Sequence, residues 1–144
     1  TNPRALSLAR RNARLLHVGK RVRFFRTDLL TGLSAHSLDA VVSNPPYVRT
    51  TDWPELERQI LRFEPRSAFD GGPDGLNPIR RLIRQARSAL RQNGLFFLEI
   101  GEDQGPAARK ILRREGFRNI VCHRDLQGHP RILAARRGAD AAHC

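Results

Sequence analysis

The chain has 144 residues, enough for one globular domain, and its composition of 40% hydrophobic and 28% charged residues is typical of a soluble protein. No apolar run approaches the roughly 18 to 20 residues of a membrane-spanning helix, and no leader-like segment opens the chain, so we predict a cytoplasmic protein without a membrane partner. The two cysteines do not form a disulfide framework, and the histidines lack a zinc-like spacing, so we predict no metal site.

The formal net charge is +12, and nearly all the cations are arginines. This balance is compatible with proximity to nucleic acid, the ribosome or an acidic protein surface. The arginines are scattered along the chain rather than gathered in one block, which also fits a solvated, arginine-rich exterior. Charge alone therefore does not identify a partner.

The beginning of the chain has the pattern of a helix followed by a strand. Asn2 and Pro3 suit a helix start, because an Asn side chain can cap the first turn and proline fits the first helical position. The apolar spacing predicts a helix to about Leu16, ended by Gly19. The run Val22–Arg26, rich in β-branched and aromatic residues, predicts a short strand.

The middle of the chain has the pattern of strand, long connection, helix and strand. The apolar run within Leu38–Ser43 predicts a strand that is buried on both faces. The connection Asn44–Gly75 is rich in proline and aromatic residues, which predicts an ordered loop, with Trp53–Ile60 suited to a helix. A helix is expected over Pro78–Gln92, followed by a buried strand over Leu95–Ile100. The apolar stripe of that helix consists of Ile79, Leu82, Ile83, Ala86 and Leu90.

The last part of the chain predicts one more helix and two strands. The helix spans Pro106–Glu115, and the strands Arg118–Cys122 and Ile132–Arg136 are joined by a polar turn at Gln127–Pro130. No helix separates these strands, so we expect an antiparallel hairpin. Together, the elements predict an α/β fold with a mainly parallel sheet, followed by a tail over residues 138–144.

The segment Asn44-Pro45-Pro46-Tyr47 follows directly after the predicted strand, where ligands bind in open α/β sheets. These residue types suit methyl transfer to a planar amide-type or aromatic amine nitrogen, whose lone pair is delocalised and must be turned toward the methyl group. The Asn44 side-chain oxygen and the Pro45 carbonyl can each accept a hydrogen bond from one N–H of the acceptor nitrogen and so orient that nitrogen. The prolines stiffen the turn, and Tyr47 can lay its ring on the flat acceptor. The alternative is an ordinary proline-rich turn.

With this motif the chain resembles the HemK-type protein-(glutamine-N5) methyltransferases, which modify peptide chain release factors. The resemblance extends over nearly the whole chain and is most specific in the loop from Glu64 to Leu76. It implies a class I S-adenosylmethionine-dependent methyltransferase fold, which is Rossmann-like, and S-adenosylmethionine as the methyl donor. Further matching positions are residues 2–6, 9, 12, 63–65, 68, 71–72, 74–76, 98–101, 104–105, 116–117, 125, 128 and 131.

The resemblance also implies roles for individual residues. Asn44 and Pro45 would be the catalytic pair that holds the amide of a glutamine in a Gly-Gly-Gln motif, and Pro46 and Tyr47 would complete the substrate-binding set. The cofactor-binding residues would be Asp28, Leu29 and Asn44. For Asp28 the alternative is a turn cap. Glu64 and Glu99 could border the site, but structural roles are favoured for both.

The Gly-rich cofactor turn of this family and its ribose-binding carboxylate have no counterpart in these 144 residues. We therefore expect residues 1–137 to form a partial, N-terminally truncated methyltransferase domain that is inactive by itself, followed by a disordered tail at 138–144. Three other hypotheses stay open: a DNA or RNA base amino-group methyltransferase, a ribosomal protein glutamine methyltransferase, and an inactive fragment or binding module.

Overall fold

The computed structural model describes residues 2–56 and 58–139, and it describes the backbone but not the side chain of Ile60. The chain divides into two compact units, Thr1–Gly32 and Leu33–Cys144, each described by itself. In the described part of the chain, no helix is long and apolar enough to cross a membrane. The predicted tail lies outside the described residues from 140 onward, whereas Gly138 is buried and donates a hydrogen bond to the Gly116 carbonyl (3.0 Å).

The first unit contains helix α1, Pro3–Leu15, and a 3₁₀ turn, Gly19–Arg21. The predicted helix start is confirmed, since the Asn2 side chain accepts a hydrogen bond from the Arg4 amide at 2.9 Å. The helix ends earlier than predicted, because His17 adopts a left-handed conformation (φ 55°) and its amide closes onto the Arg14 carbonyl.

The predicted strand at residues 22–26 is wrong. This segment has no strand pairing in the structure. A strand needs a neighbour to satisfy its backbone hydrogen bonds, and the other described residues of the first unit form a helix and turns. Local β propensity alone was therefore insufficient.

The second unit is built on a four-stranded sheet. Its strands are β1 Leu38–Ser43, β2 Leu90–Glu99, β3 Phe117–Arg124 and β4 Pro130–Arg137. They lie in the order β1-β2-β4-β3. β1 and β2 are parallel, β2 and β4 antiparallel, and β3 and β4 form the predicted antiparallel hairpin. Parallel pairing among the described strands is confined to β1 and β2.

The described residues of this unit also form three α-helices: α2 Arg58–Phe63, α3 Asn77–Ala89 and α4 Gly105–Arg114. The predicted stripe of α3 is confirmed, since its members are 0 to 2% exposed. The helix ends at Ala89 rather than Gln92, because Leu90 starts β2 and pairs with Leu38. Sheet pairing thus overrides the helical periodicity. The main core side chains are Ile79, Ile83, Phe96, Leu98, Leu112 and Leu133.

The burial prediction for β1 is wrong. β1 is an edge strand of the described sheet, so it is not buried on both faces: Val41 is 6% exposed but Val42 is 78% exposed. In the long connection, Trp53 packs near Phe69, with ring centroids 6.1 Å apart, while Phe63 is exposed. The helical stretch expected at residues 53–60 is instead a 3₁₀ helix, Thr50–Glu55, followed by α2.

Candidate active site

The motif predicted to carry the chemistry leaves the sheet at the carboxyl end of β1. Both peptide bonds to its prolines are trans. Pro45 is buried, whereas the Asn44 side chain is exposed and has no hydrogen-bond partner among the described residues. The rigid, buried proline therefore presents an amide side chain whose hydrogen-bonding capacity is unused within this part of the chain.

The motif and the loop that follows it enclose a cavity of about 160 Å³. A cavity of this size suits one side chain rather than a large ligand, and its walls combine an amide with apolar surfaces. A flat polar group that enters can be sandwiched by the walls and hydrogen-bonded at Asn44. The lining residues are Asn44, Pro45, Pro46, Tyr47, Val48, Ala68 and Phe69.

The far wall of the cavity is tied to the motif by backbone hydrogen bonds. The Val48 amide donates to the Phe69 carbonyl at 2.9 Å, and the Gly71 amide donates to the Val48 carbonyl at 2.7 Å. Asp70 reinforces this pairing by accepting from the Thr50 hydroxyl at 2.7 Å. That hydrogen bond, with a further one from the Gly72 amide, lowers the pKa of Asp70. The loop after the motif is therefore an ordered wall of the cavity.

Gln104 connects the motif to two other loops. Its Nε2 donates to the carbonyls of Tyr47 (2.9 Å) and Gly75 (3.2 Å), and its Oε1 accepts from the Gly101 amide at 3.0 Å. Gln104 is 5% exposed, so all three bonds are shielded from water. Gly75 has a φ of +72°, and a Cβ there would lie 2.4 Å from both the Tyr47 oxygen and the Gln104 nitrogen. The side-chain amide of Gln104 is thus fully used in fixing the end of the motif.

Tyr47 is held from its other end by an acidic partner. Its hydroxyl donates to Glu99 Oε1 at 3.3 Å, at the carboxyl end of β2. Burial of the phenol, together with the negative charge of Glu99, raises the pKa of Tyr47, and the positive charge of Arg131 opposes this. The phenol therefore stays protonated at neutral pH, and the orientation of its ring is fixed.

We expect Tyr47 to titrate above the ordinary tyrosine pKa of 10.0. Because the chain contains a single tyrosine, tyrosinate absorbance during an alkaline titration reports this residue alone. Glu99→Gln should bring the pKa of Tyr47 down toward the ordinary value, since it removes the adjacent negative charge. Asp39→Asn, which removes an equal charge at the opposite end of β1, is the control and should leave it unchanged. Equal shifts in both variants would contradict the contact.

A second, more open cleft of about 380 Å³ lies on the other side of Tyr47, between the loop after the motif and the turn that leads into α4. Within its lining, Arg49 contacts Asp103 and Asp52, whereas Arg131 contacts Asp125 and Glu102 contacts His129, both outside the lining. Tyr47 therefore stands between a small amide-lined cavity and a polar cleft.

The sequence-predicted site residues fall into two groups. Asn44, Pro45, Pro46 and Tyr47 lie together around one cavity, whereas Asp28 and Leu29 belong to the first unit. There the Asp28 carbonyl accepts from the Thr31 amide at 3.1 Å, within a turn in which Leu29 has a φ of 53°. Their assignment to a cofactor pocket stays a prediction.

Sequence reasoning gave no role to the residues that support the motif. The sequence associates Gln104 only with the family resemblance, and it predicts for Glu99 a structural role without naming Tyr47 as its partner. The Gln-Gly-Pro sequence at the start of α4 is the available signal, but two of the three hydrogen-bond partners, Tyr47 and Gly75, are distant along the chain. Glu64 is exposed and does not line the described cavity.

Comparison with known proteins agrees with this geometry. A family model described as methyltransferase small domain matches residues 1–66. The chain is 44% identical over 137 residues to a release factor glutamine methyltransferase of Moorella thermoacetica, covering 94% of this chain and 48% of that protein. It is 41% identical to the enzyme of the same name from Caulobacter vibrioides, covering 90% of this chain and 45% of that protein.

By sequence, the chain belongs to the release factor glutamine methyltransferase family.

The family assignment confirms the resemblance and the class I methyltransferase fold. A solved structure agrees: the Mtq2-Trm112 complex of E. cuniculi, described as responsible for methylation of the eRF1 translation termination factor. It is 26% identical, with a TM-score of 0.57, over 88% of this chain and 68% of that chain. The chain spans about half the length of the curated family members it matches.

Proposed function

We propose that this chain carries the acceptor-side half of an S-adenosylmethionine-dependent methyltransferase that modifies the side-chain amide nitrogen of a glutamine in a peptide chain release factor. The observation that carries the proposal is the cavity at the end of β1, where the Asn44 side chain has no hydrogen-bond partner among the described residues and lines a space sized for one side chain. The names of the curated family members supply the substrate class.

Within this proposal, the Asn44 oxygen and the Pro45 carbonyl each accept an N–H of the substrate amide. These two bonds fix the plane of the amide, so the nitrogen lone pair can be aimed along the line of transfer. Tyr47 and Phe69 flank the flat group, and Gln104 and Glu99 keep Tyr47 in place. The chain contributes positioning, and no covalent intermediate on the protein is required.

The methyl donor fits the residues present in one respect. Asn44 has an exposed side chain that can also contact a polar group of the donor, and S-adenosylmethionine would supply an electrophilic methyl group. Asp28 and Leu29 are proposed as further contacts to the donor.

The 144-residue chain by itself is expected to bind S-adenosylmethionine weakly or not at all. A Gly-rich turn that follows a strand and a carboxylate for the ribose are the usual means of holding such a nucleoside, and these residues contain no such turn. Isothermal titration calorimetry measures the affinity directly. Binding with a micromolar Kd by this chain would show that the residues present suffice for the donor.

The finer proposal is that the acceptor is the glutamine of a Gly-Gly-Gln motif. Flanking glycines have no side chains, so the substrate backbone can approach the narrow cavity closely. A glutamine side chain is slim enough to reach Asn44 from outside. The mouth of the cavity, rather than its depth, would then favour glycine-flanked acceptors.

A chimera tests the proposed function. This chain replaces the matched 48% of the Moorella thermoacetica protein, and the product is offered a release factor, ribosomal proteins and DNA with a labelled methyl donor. Label on the release factor, lost when its Gly-Gly-Gln glutamine is changed to alanine, is the expected result. Label on ribosomal protein alone would move the chain to the sister specificity, and label on DNA alone would refute a protein substrate. A folded chimera without activity, beside an active parent enzyme, would favour the inactive-fragment hypothesis.

A further inference from the structure

A cleft rich in arginine lies at the end of the sheet opposite the motif, beyond the other ends of the strands. It has a volume of about 550 Å³ and is formed where α3 and α4 end and β3 begins. In the β2–β4 register, Glu99 pairs with Ile132 near the motif, and Leu95 pairs with Arg136 near the cleft. Along β2, Leu95 lies about 13 Å from Glu99. The lining residues are Arg87, Arg113, Arg114, Glu115, Gly116, Phe117, Arg118 and Ala139.

Three of the four arginines that line this cleft have no ion-pair partner among the described residues. Arg113, Arg114 and Arg118 are exposed and form no ion pair with a described residue. Glu115 is the one carboxylate among the lining residues. In contrast, the polar cleft beside Tyr47 contains mutually paired charges. Three accessible arginines that form no ion pair with a described residue therefore lie together in this cleft, away from the motif.

Two glycines allow the guanidinium groups to lie close to the backbone of the cleft. A Cβ at Gly116 would be 3.3 Å from Arg87 Nε, and a Cβ at Gly138 would be 2.9 Å from Arg118 Nε. The Gly138 amide also donates to the Gly116 carbonyl, which joins the two walls. The arginines thus lie over a fixed floor.

Helix capping does not account for these arginines. Cations near a helix end can stabilise its carbonyl groups, but the end of α3 already receives a bond from Arg137, whose Nε donates to the Arg87 carbonyl at 2.8 Å. The end of α4 is closed by the amides of Glu115 and Gly116, which donate to Ile111 and Arg113. The guanidinium groups of Arg113, Arg114 and Arg118 therefore remain available to a ligand.

The lining favours phosphate over a protein surface. Stable protein interfaces centre on apolar or aromatic anchors, whereas the one aromatic residue of the cleft, Phe117, is 3% exposed and offers no such anchor. Guanidinium groups match phosphate oxygens in paired hydrogen bonds, and the net charge of +12 adds a long-range attraction to a polyanion.

We propose that the arginine cleft binds the phosphate backbone of RNA. RNA is the expected nucleic acid, because the family is named for release factors, which are proteins of translation. The inference goes beyond the proposed function and does not depend on methyl transfer, because the cleft and the motif lie at opposite ends of the sheet.

The test is a binding experiment between a short, labelled RNA duplex and the 144-residue chain. Fluorescence anisotropy measures the affinity at several salt concentrations. The triple variant Arg113→Ser, Arg114→Ser and Arg118→Ser should weaken binding at least tenfold. It should also reduce the slope of log affinity against log salt by about 2 to 3, since each phosphate contact contributes about 0.9. The matched control, Arg58→Ser with Arg62→Ser on α2, should change both quantities much less.

A second measurement locates the bound RNA without relying on the variants. The amide signals of Gly116 and Gly138 should shift during an RNA titration followed by nuclear magnetic resonance, while that of Gly75 beside the motif should not. The proposal is overturned if the α2 control weakens binding as much as the triple variant. It is also overturned if the shifts centre on Gly75, if polyglutamate binds as tightly as RNA, or if DNA binds more tightly.

Discussion

Replacing Asn44 with alanine in the active chimera is expected to lower kcat/KM for methyl transfer roughly 30- to 800-fold. This corresponds to a loss of about 2 to 4 kcal/mol of transition-state stabilisation. The substitution removes one of the two acceptors that hold the substrate amide, and the Pro45 carbonyl alone leaves the amide free to rotate. The Asn44 side chain is exposed and bonds to no described residue, so little fold stability should be lost. Steady-state kinetics with a release factor, together with thermal unfolding, separates the two effects.

The matched control for this variant is Asn12→Ala. Asn12 is also an exposed asparagine, but it lies on α1 and does not line the cavity beside the motif. Its turnover should stay close to that of the parent chimera. Near-normal turnover in Asn44→Ala, or an equal loss in Asn12→Ala, would show that Asn44 does not orient the acceptor.

Gln104→Leu is expected to cost about 3 kcal/mol or more of unfolding free energy. The leucine fills a similar volume but leaves the Tyr47 and Gly75 carbonyls and the Gly101 amide without their shared partner. A buried polar group without a partner costs about 1 to 3 kcal/mol, and water has little access to a residue that is 5% exposed. Urea unfolding of the 144-residue chain measures the change.

Two further variants sharpen this result. Gln92→Leu replaces an exposed glutamine and should change stability by less than about 0.5 kcal/mol. Gln104→Glu keeps the shape but places an oxygen against two carbonyl oxygens, so it should be destabilising as well. If Gln104→Glu were as stable as the parent, the two donated bonds would not hold the motif.

The sequence predicted the elements whose packing follows from their own periodicity. The apolar stripe of α3 could be predicted because apolar residues recur at helical spacing with arginines between them. These apolar residues are buried in the structure. The hairpin of β3 and β4 was readable because a short polar turn separates two strand-like runs. The motif was readable because it follows a strand directly.

The sequence did not predict features that depend on a distant partner. The segment at residues 22–26 has β-type side chains but pairs with no strand among the described residues, and Leu90 leaves the helix because Leu38 pairs with it. Val42 is exposed because β1 is an edge strand of the described sheet. In each case a non-local contact, present or absent, decided the outcome.

By itself the sequence determined the family, the chemistry of the motif and the order of most elements, because these depend on which residues are neighbours along the chain. The tertiary structure decided what holds the motif and what surrounds it. Gln104 acts only because the loops containing Tyr47, Gly75 and Gly101 converge on one buried amide. The arginine cleft likewise forms only where the ends of α3 and α4 meet the start of β3. Arginines that are separate along the chain produce one positive electrostatic potential only when folding brings them together.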